Sequence, residues 1–232
     1  MARGSGTGTR GGSRASSEDT QVRAIMSAKS PGKGLGNLVK SKKSIIDAKG
    51  NFKGEEDVEP TPELLAMANQ SIDTAERAIA NSDTEHAAVY VDGKQVFVKT
   101  SSEPNFVDFT PKESKAMAGA TFTHNHPPGP NGEPIPFSRG DVKMLLQNKI
   151  GSFRAVSGNT QFEMSPPKDS AFWKTPKAKL AKLLDSTFNA VKDGYGYTGN
   201  KPLPTEVLVR VLDDTLTLVD NTLGLGYKKT TL

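Results

Sequence analysis

Between Thr121 and Val142 the chain reads TFTHNHPPGPNGEPIPFSRGDV, and that run allows few backbone paths. An apolar approach through Ala120 and Phe122 predicts a strand. His124 and His126 stand two positions apart on it, so both imidazoles project from the same face. Pro127 has no N–H for a ladder and stops the strand at once. A Pro/Gly-rich loop leads to Ser138-Arg139-Gly140-Asp141, where a helix begins. Val142, Leu145, Leu146 and Ile150 give that helix a one-sided apolar stripe. Two of the chain's three histidines are thus fixed to one strand face, followed by a helix start that carries a hydroxyl and a carboxylate.

Two imidazoles and a carboxylate are common ingredients of a mononuclear zinc site, and catalytic zinc takes three protein ligands with a fourth position for water. The chain has no cysteine, which excludes disulfide scaffolds, cysteine zinc ribbons and a thiol nucleophile. No apolar run approaches about 18 residues, and the N-terminus lacks the apolar centre of a signal peptide. The expectation is a cytoplasmic protein with no membrane contact.

Charge divides the chain. Residues 1–54 hold eleven Lys/Arg against three Asp/Glu, a balance of +8, so the remainder carries −4 of the overall +4. This front is rich in Gly and Ser with scattered apolar residues, too few to offset the entropy of ordering. We read 1–58 as a disordered basic tail, with room for a short ordered patch around Leu35 to Ile46. Such a tail suits phosphate backbones or a capsid surface, and equally a solubilising or assembly role.

Thr61-Pro62-Glu63 is a helix start, and apolar residues from Leu64 to Ile79 recur at helical spacing to about Ala80. A strand over 85–91, the hairpin turn Asp92-Gly93 and a return strand over 95–99 follow. A short strand is expected at Phe106, Val107 and Phe109, then a brief helix from Thr110-Pro111 and the histidine strand. Residues 153–156 and 161–164 pair across Gly158-Asn159. This is a mixed α/β (α+β) domain over 59–166, a mixed sheet flanked by helices. Residues 167–232 form a C-terminal extension of two amphipathic helices, either a hairpin packed on the core or an element for a partner.

His124-x-His126-Pro127, a loop, and Ser138-x-x-Asp141 at a helix start resemble the metal motif of JAB/MPN domains, the JAMM metalloproteases. In that family a glutamate opens an early strand, and Glu85 occupies the matching place. The resemblance covers roughly Ile72 to Met164. The form E-H-A-A-V-Y-V-D-G, T-H-N-H-P, F-S-R-G-D is most similar to JAB-like domains of phage head-associated proteins and polymorphic toxins. It implies a JAB-like fold, with Zn2+ held by His124, His126 and Asp141. Glu85 would take a proton from the attacking water and hand it to the leaving amine, and Ser138 would hydrogen-bond the oxyanion. Residue chemistry agrees with those roles: zinc makes water a nucleophile near neutral pH, a carboxylate within reach is a sound base, and a hydroxyl can meet developing charge. The implied function is a zinc metallopeptidase or isopeptidase acting on a protein or peptide.

The chain departs from the pattern in two places. Eleven residues separate His126 from Ser138, and Ser138 follows Pro136-Phe137 rather than a proline directly. A flexible loop is lengthened cheaply. Each piece also has an ordinary structural reading. Ser138-x-x-Asp141 is a capping box, a His-x-His pair can sit exposed on a strand, and most glutamates are solvated. Glu76, Glu103 and Glu113 are rivals to Glu85, while His86 should point to the opposite face and ligate nothing. A second functional class is a non-catalytic phage virion or head-assembly protein on a JAB-like fold, its basic tail contacting nucleic acid or capsid. A metal-dependent nuclease fits less well, because the nuclease motif called H-N-H is spread across a ββα unit.

Overall fold

Asp92 and Gly93 set the centre of the sheet. Both take positive φ, 50° and 73°, which a two-residue turn needs to match the right-handed twist of its strands. They join β3 (His86–Val91) to β4 (Lys94–Thr100). The other edge of β3 pairs antiparallel with β5 (Thr121–Asn125), and β5 pairs parallel with β6 (Ser152–Ser157). Gly158-Asn159 turns β6 back into β7 (Thr160–Met164). A computed structural model describes residues 39–46, 52–101, 106–199 and 202–232. Their eight-stranded mixed sheet runs β2-β1-β4-β3-β5-β6-β7-β8, where β1 is Val39–Ile46, β2 Phe52–Asp57 and β8 Lys228–Thr231.

Alternation along the strands gives two buried faces. One packs Ala88, Tyr90, Val98 and Val156 against α1 (Pro62–Met67) and α2 (Ile72–Ile79). Ala87, Val89, Phe122, Phe153 and Phe162 point the other way. They meet Val142 and Leu145 of α4 (Arg139–Asn148), which crosses from β5 to β6 beyond α3 (Pro111–Ala116). Burying each large apolar side chain contributes roughly 1.5–3 kcal/mol. Among the described residues no helix is long and apolar enough to cross a membrane.

The structure departs from the sequence reading in four places. The helix expected from 62 to 80 is two helices. Asn69 takes φ 60°, a left-handed stop, and Ser71 caps α2 by accepting the Thr74 N–H. Phe106, Val107 and Phe109 form no strand; Ser101 donates to the Phe106 carbonyl at 2.6 Å, and no ladder partner reaches the segment. Third, α6 (Lys177–Gly194) and α7 (Thr205–Leu223) form the hairpin, one of the two expected forms of the C-terminal extension, but the short α5 (Ser170–Lys174) precedes them and a strand follows. Leu180, Leu184, Leu216 and Val219 belong to the same apolar cluster as the sheet. The chain then returns as β8, a polar strand whose Lys228 and Lys229 pair with Glu163 and Asp213.

Fourth, the front segment is not wholly unstructured: 39–46 and 52–57 are strands. The rest of the basic tail, 1–38 and 47–51, lies outside the described residues, as does Glu103. Charge explains why these strands form. Lys99, fully buried on β4, donates to Glu113 at 2.9 Å and to Glu55 of β2 at 3.0 Å, and Lys40 of β1 reaches Glu113 at 2.7 Å. Burial alone would raise Glu113, but the bonds from Lys40, Lys99 and the Thr110 amide hold it at about 2. The folded value lies below the ordinary one near 4.5, so this stability is present above pH 4.5 and lost as pH falls toward 2. Glu113→Gln is therefore expected to cost about 3–5 kcal/mol in urea denaturation at pH 7, since it breaks a buried pair. The gap to wild type should close as pH falls from 4.5 toward 2.

Candidate metal centre

Parallel pairing with β6 continues one residue beyond β5, because the His126 N–H donates to the Val156 carbonyl at 2.9 Å before Pro127 ends the run. This keeps His124 and His126 extended and on one face. His124, only 1% exposed, is walled by Phe122, Phe153 and Phe137 at ring separations of 5.4, 5.2 and 6.2 Å. Phe137 itself is fully buried. It pins the far end of the long loop, and the Ile135 amide donates to buried Ser157 at 3.0 Å. These contacts hold the end of the loop in place where α4 starts.

Backbone carbonyls fix the tautomers. His124 Nδ1 lies 3.0 Å from the Arg154 carbonyl, and His126 Nδ1 lies 3.2 Å from the Ile135 carbonyl. A carbonyl only accepts, so each Nδ1 carries the proton and each neutral ring turns an Nε2 lone pair away from it. Those two Nε2 atoms face each other at 3.0 Å. Two lone pairs so close require a cation between them, either a proton or a metal ion.

Asp141 stands beside the pair, its Oδ1 3.5 Å from His124 Nε2 and its Oδ2 3.2 Å from His126 Nε2. Ligands of a tetrahedral ion with bonds of about 2.0–2.1 Å lie about 3.3 Å apart. The two Nε2 atoms, at 3.0 Å, stand near that edge, and an Asp141 oxygen approaches each of them, so the three side chains can reach one such ion. The capping reading of Ser138-x-x-Asp141 also holds. The Ser138 amide donates to Asp141 Oδ2 at 2.7 Å, and Ser138 Oγ accepts the Asp141 N–H at 3.1 Å. Capping is what aims the carboxylate: at the third position of the helix it is held toward the imidazoles, at the positive end of the dipole.

Glu85 precedes β3 and is 7% exposed; a ligand oxygen of it and one nitrogen from each histidine all lie within 4.8 Å of one another. The two carboxylates are pushed apart. Burial drives Glu85 up to about 8, eased by His126 and reinforced by the nearby Asp141 charge. Burial would also raise Asp141, yet the two imidazoles hold it well below the usual carboxylate range. Burial lowers His124. It would lower His126 too, but the Asp141 charge and hydrogen bond, with Glu85, lift that ring to about 9. One carboxylate thus stays anionic while the other gains or loses a proton near neutral pH, so the two groups are chemically distinct.

The rivals lie elsewhere. Glu76 is fully buried across the sheet, bonded to Arg154, Gln161 and Thr123. Glu113 belongs to the Lys99 network. His86 bonds Thr61 at 2.7 Å, and burial lowers it to about 4. Sequence reasoning missed Asn125. Fully buried between the two histidines, it accepts the His86 N–H at 2.8 Å and donates to the Thr84 carbonyl at 3.0 Å and the Ser82 carbonyl at 3.4 Å. The β3–β5 ladder ends at Ala87↔His124, and beyond it this side chain ties the turn around Glu85 to the histidine strand. An asparagine inside a strand, where that residue is depleted, was the available signal. Asn125→Ala leaves buried backbone groups unpaired, and chemical denaturation should read a loss of about 1–3 kcal/mol.

Glu85, His126 and Asp141 line a cavity of about 540 Å³. In comparison with known proteins, the chain matches no family model, no curated protein and no solved structure.

Proposed function

We propose that the chain is a zinc-dependent peptidase or isopeptidase, hydrolysing an amide bond with its own Glu85 as proton carrier. The observation that carries this reading is the pair of Nε2 lone pairs meeting at 3.0 Å beside two carboxylates of opposite protonation tendency, at the mouth of a cavity. His124, His126 and Asp141 would hold the ion, in keeping with the JAMM-like motif. When bound, zinc supplies a Lewis acid that polarises a carbonyl and makes water nucleophilic at neutral pH.

The chain's own groups account for the proton and the charge. Glu85 accepts a proton from the attacking water as the water oxygen bonds to the carbonyl carbon. It returns that proton to the amide nitrogen as the C–N bond breaks, leaving a carboxylate and an amine. Ser138 Oγ already accepts from the Asp141 amide, so its O–H is free to donate toward the oxygen that gains charge. The phenylalanine wall behind His124 keeps that imidazole from turning.

The test is metal analysis of the purified full chain, followed by mass spectrometry of a mixed peptide pool incubated with it. Cleavage that appears with about one zinc per chain, stops with a chelator and returns with zinc supports the reading. Failure to take up zinc, or uptake with every amide left intact, overturns it. The second of those results would favour the non-catalytic assembly role.

A further inference from the structure

The cavity beside the histidines is lined by two chemically different kinds of side chain. Its ionisable lining is confined to Glu85, His126 and Asp141, the groups of the proposed site. The rest of its lining includes an apolar wall: Phe106, Val107 and Phe109 from the segment before α3, Phe122 from β5 and Met144 from α4. Among the described residues no Lys or Arg lines it. Phe106 is 43% exposed at this wall, a large aromatic side chain left facing solvent, whereas the lining Phe122 is buried to 1%. A volume of about 540 Å³ falls within the range of pockets that enclose small ligands.

Resting on the peptidase reading, we propose that this wall is a specificity pocket for one bulky apolar side chain, aromatic or branched aliphatic, on a residue flanking the scissile amide. Three features support it. The pocket is continuous with the reactive groups, so a side chain seated there places its own backbone beside Glu85 and the imidazoles. Its wall offers dispersion and area burial but no partner for a charge, so a lysine or aspartate side chain would lose hydration without compensation. The carboxylates among the reactive groups further disfavour an acidic residue. The segment that supplies Phe106 makes no strand, and its Phe106, Val107 and Phe109 line this cavity.

The experiment uses the full chain and two readouts. Binding of N-acetyl-phenylalanine amide, N-acetyl-leucine amide, N-acetyl-glycine amide, N-acetyl-lysine amide and N-acetyl-aspartate amide is measured by NMR titration without added zinc. Cleavage of a peptide series varied at the residues flanking one bond is measured with zinc. The apolar amides should bind about tenfold or more tighter than the glycine amide, and the charged ones no tighter than glycine. Phe106→Ala should cut the apolar advantage several-fold; the residue is half exposed and its truncation opens no core cavity, and Met144→Ala, on α4, is a second probe of the same apolar lining. Equal binding of all five amides, preference for a charged one, or an apolar advantage untouched by both variants would overturn the proposal. Apolar binding with no cleavage of any peptide would leave the pocket standing and remove the hydrolase reading. Cleavage indifferent to the flanking residue would do the reverse.

Discussion

His126→Ala is expected to lose zinc: more than 100-fold in affinity, measured by competition with a chromophoric chelator. The magnitude follows from comparison. Removing a partner that merely orients a ligating histidine typically costs about 10–100-fold, and His126 is proposed as a ligand itself. His124→Ala should behave alike, because its Nε2 lies only 3.0 Å from that of His126. Stability supplies a second readout. At a free zinc concentration one hundred times Kd, binding contributes about 2.7 kcal/mol to the folded state. For a chain of this size, each kcal/mol moves Tm by about 2–4 °C. Wild type should therefore melt roughly 5–11 °C higher with zinc, and His126→Ala should show no shift. Affinity should fall as pH is lowered, because the ion competes with the proton that Asp141 and Glu85 hold on His126, whose value stands at about 9. An unchanged Tm for wild type in saturating zinc would remove the metal from the account.

Glu85→Gln should separate binding from chemistry. Glutamine keeps the size and polarity of the side chain and cannot carry a proton, so kcat on a cleavable peptide should fall by about 10²–10⁴. Zinc content should stay at the wild-type level if Asp141 is the ligand and Glu85 the base. Asp141→Asn reverses the pattern, losing metal first. The pair of variants matters because both carboxylates face the same imidazoles. Their protonation is what distinguishes them, Glu85 raised to about 8 and Asp141 held far down. Equal loss of zinc in both variants would make Glu85 a ligand and leave the proposed mechanism without its base.

Much of the site was legible because local rules wrote it. Two-residue spacing put His124 and His126 on one face, Pro127 stopped the strand, and the Ser138 capping box opened α4. The same kind of rule gave the Asp92-Gly93 turn and the Gly158-Asn159 turn. Where the reading failed, the deciding force came from elsewhere in the chain. β1 and β2 are charged segments with no apolar alternation, and they are strands because buried Lys99 and Glu113 take Lys40 and Glu55 as partners. β8 is four polar residues held by β7 and two ion pairs. The break at Asn69 was local and still missed, since the apolar spacing runs through it.

What the sequence determined by itself was an inventory and its presentation: two imidazoles on one strand face, a carboxylate at a helix start, no thiol, and hairpins fixed by turn residues. Those follow from dihedral preference and side-chain period, which act over a few residues. Tertiary structure alone decided that Glu85 reaches the histidines, that backbone carbonyls of Arg154 and Ile135 turn both Nε2 atoms to one point, and that apolar side chains line the cavity beside them. It also decided the protonation of each group, because that depends on burial and on charges brought near by pairing strands distant in sequence. Period and propensity carry no information about either.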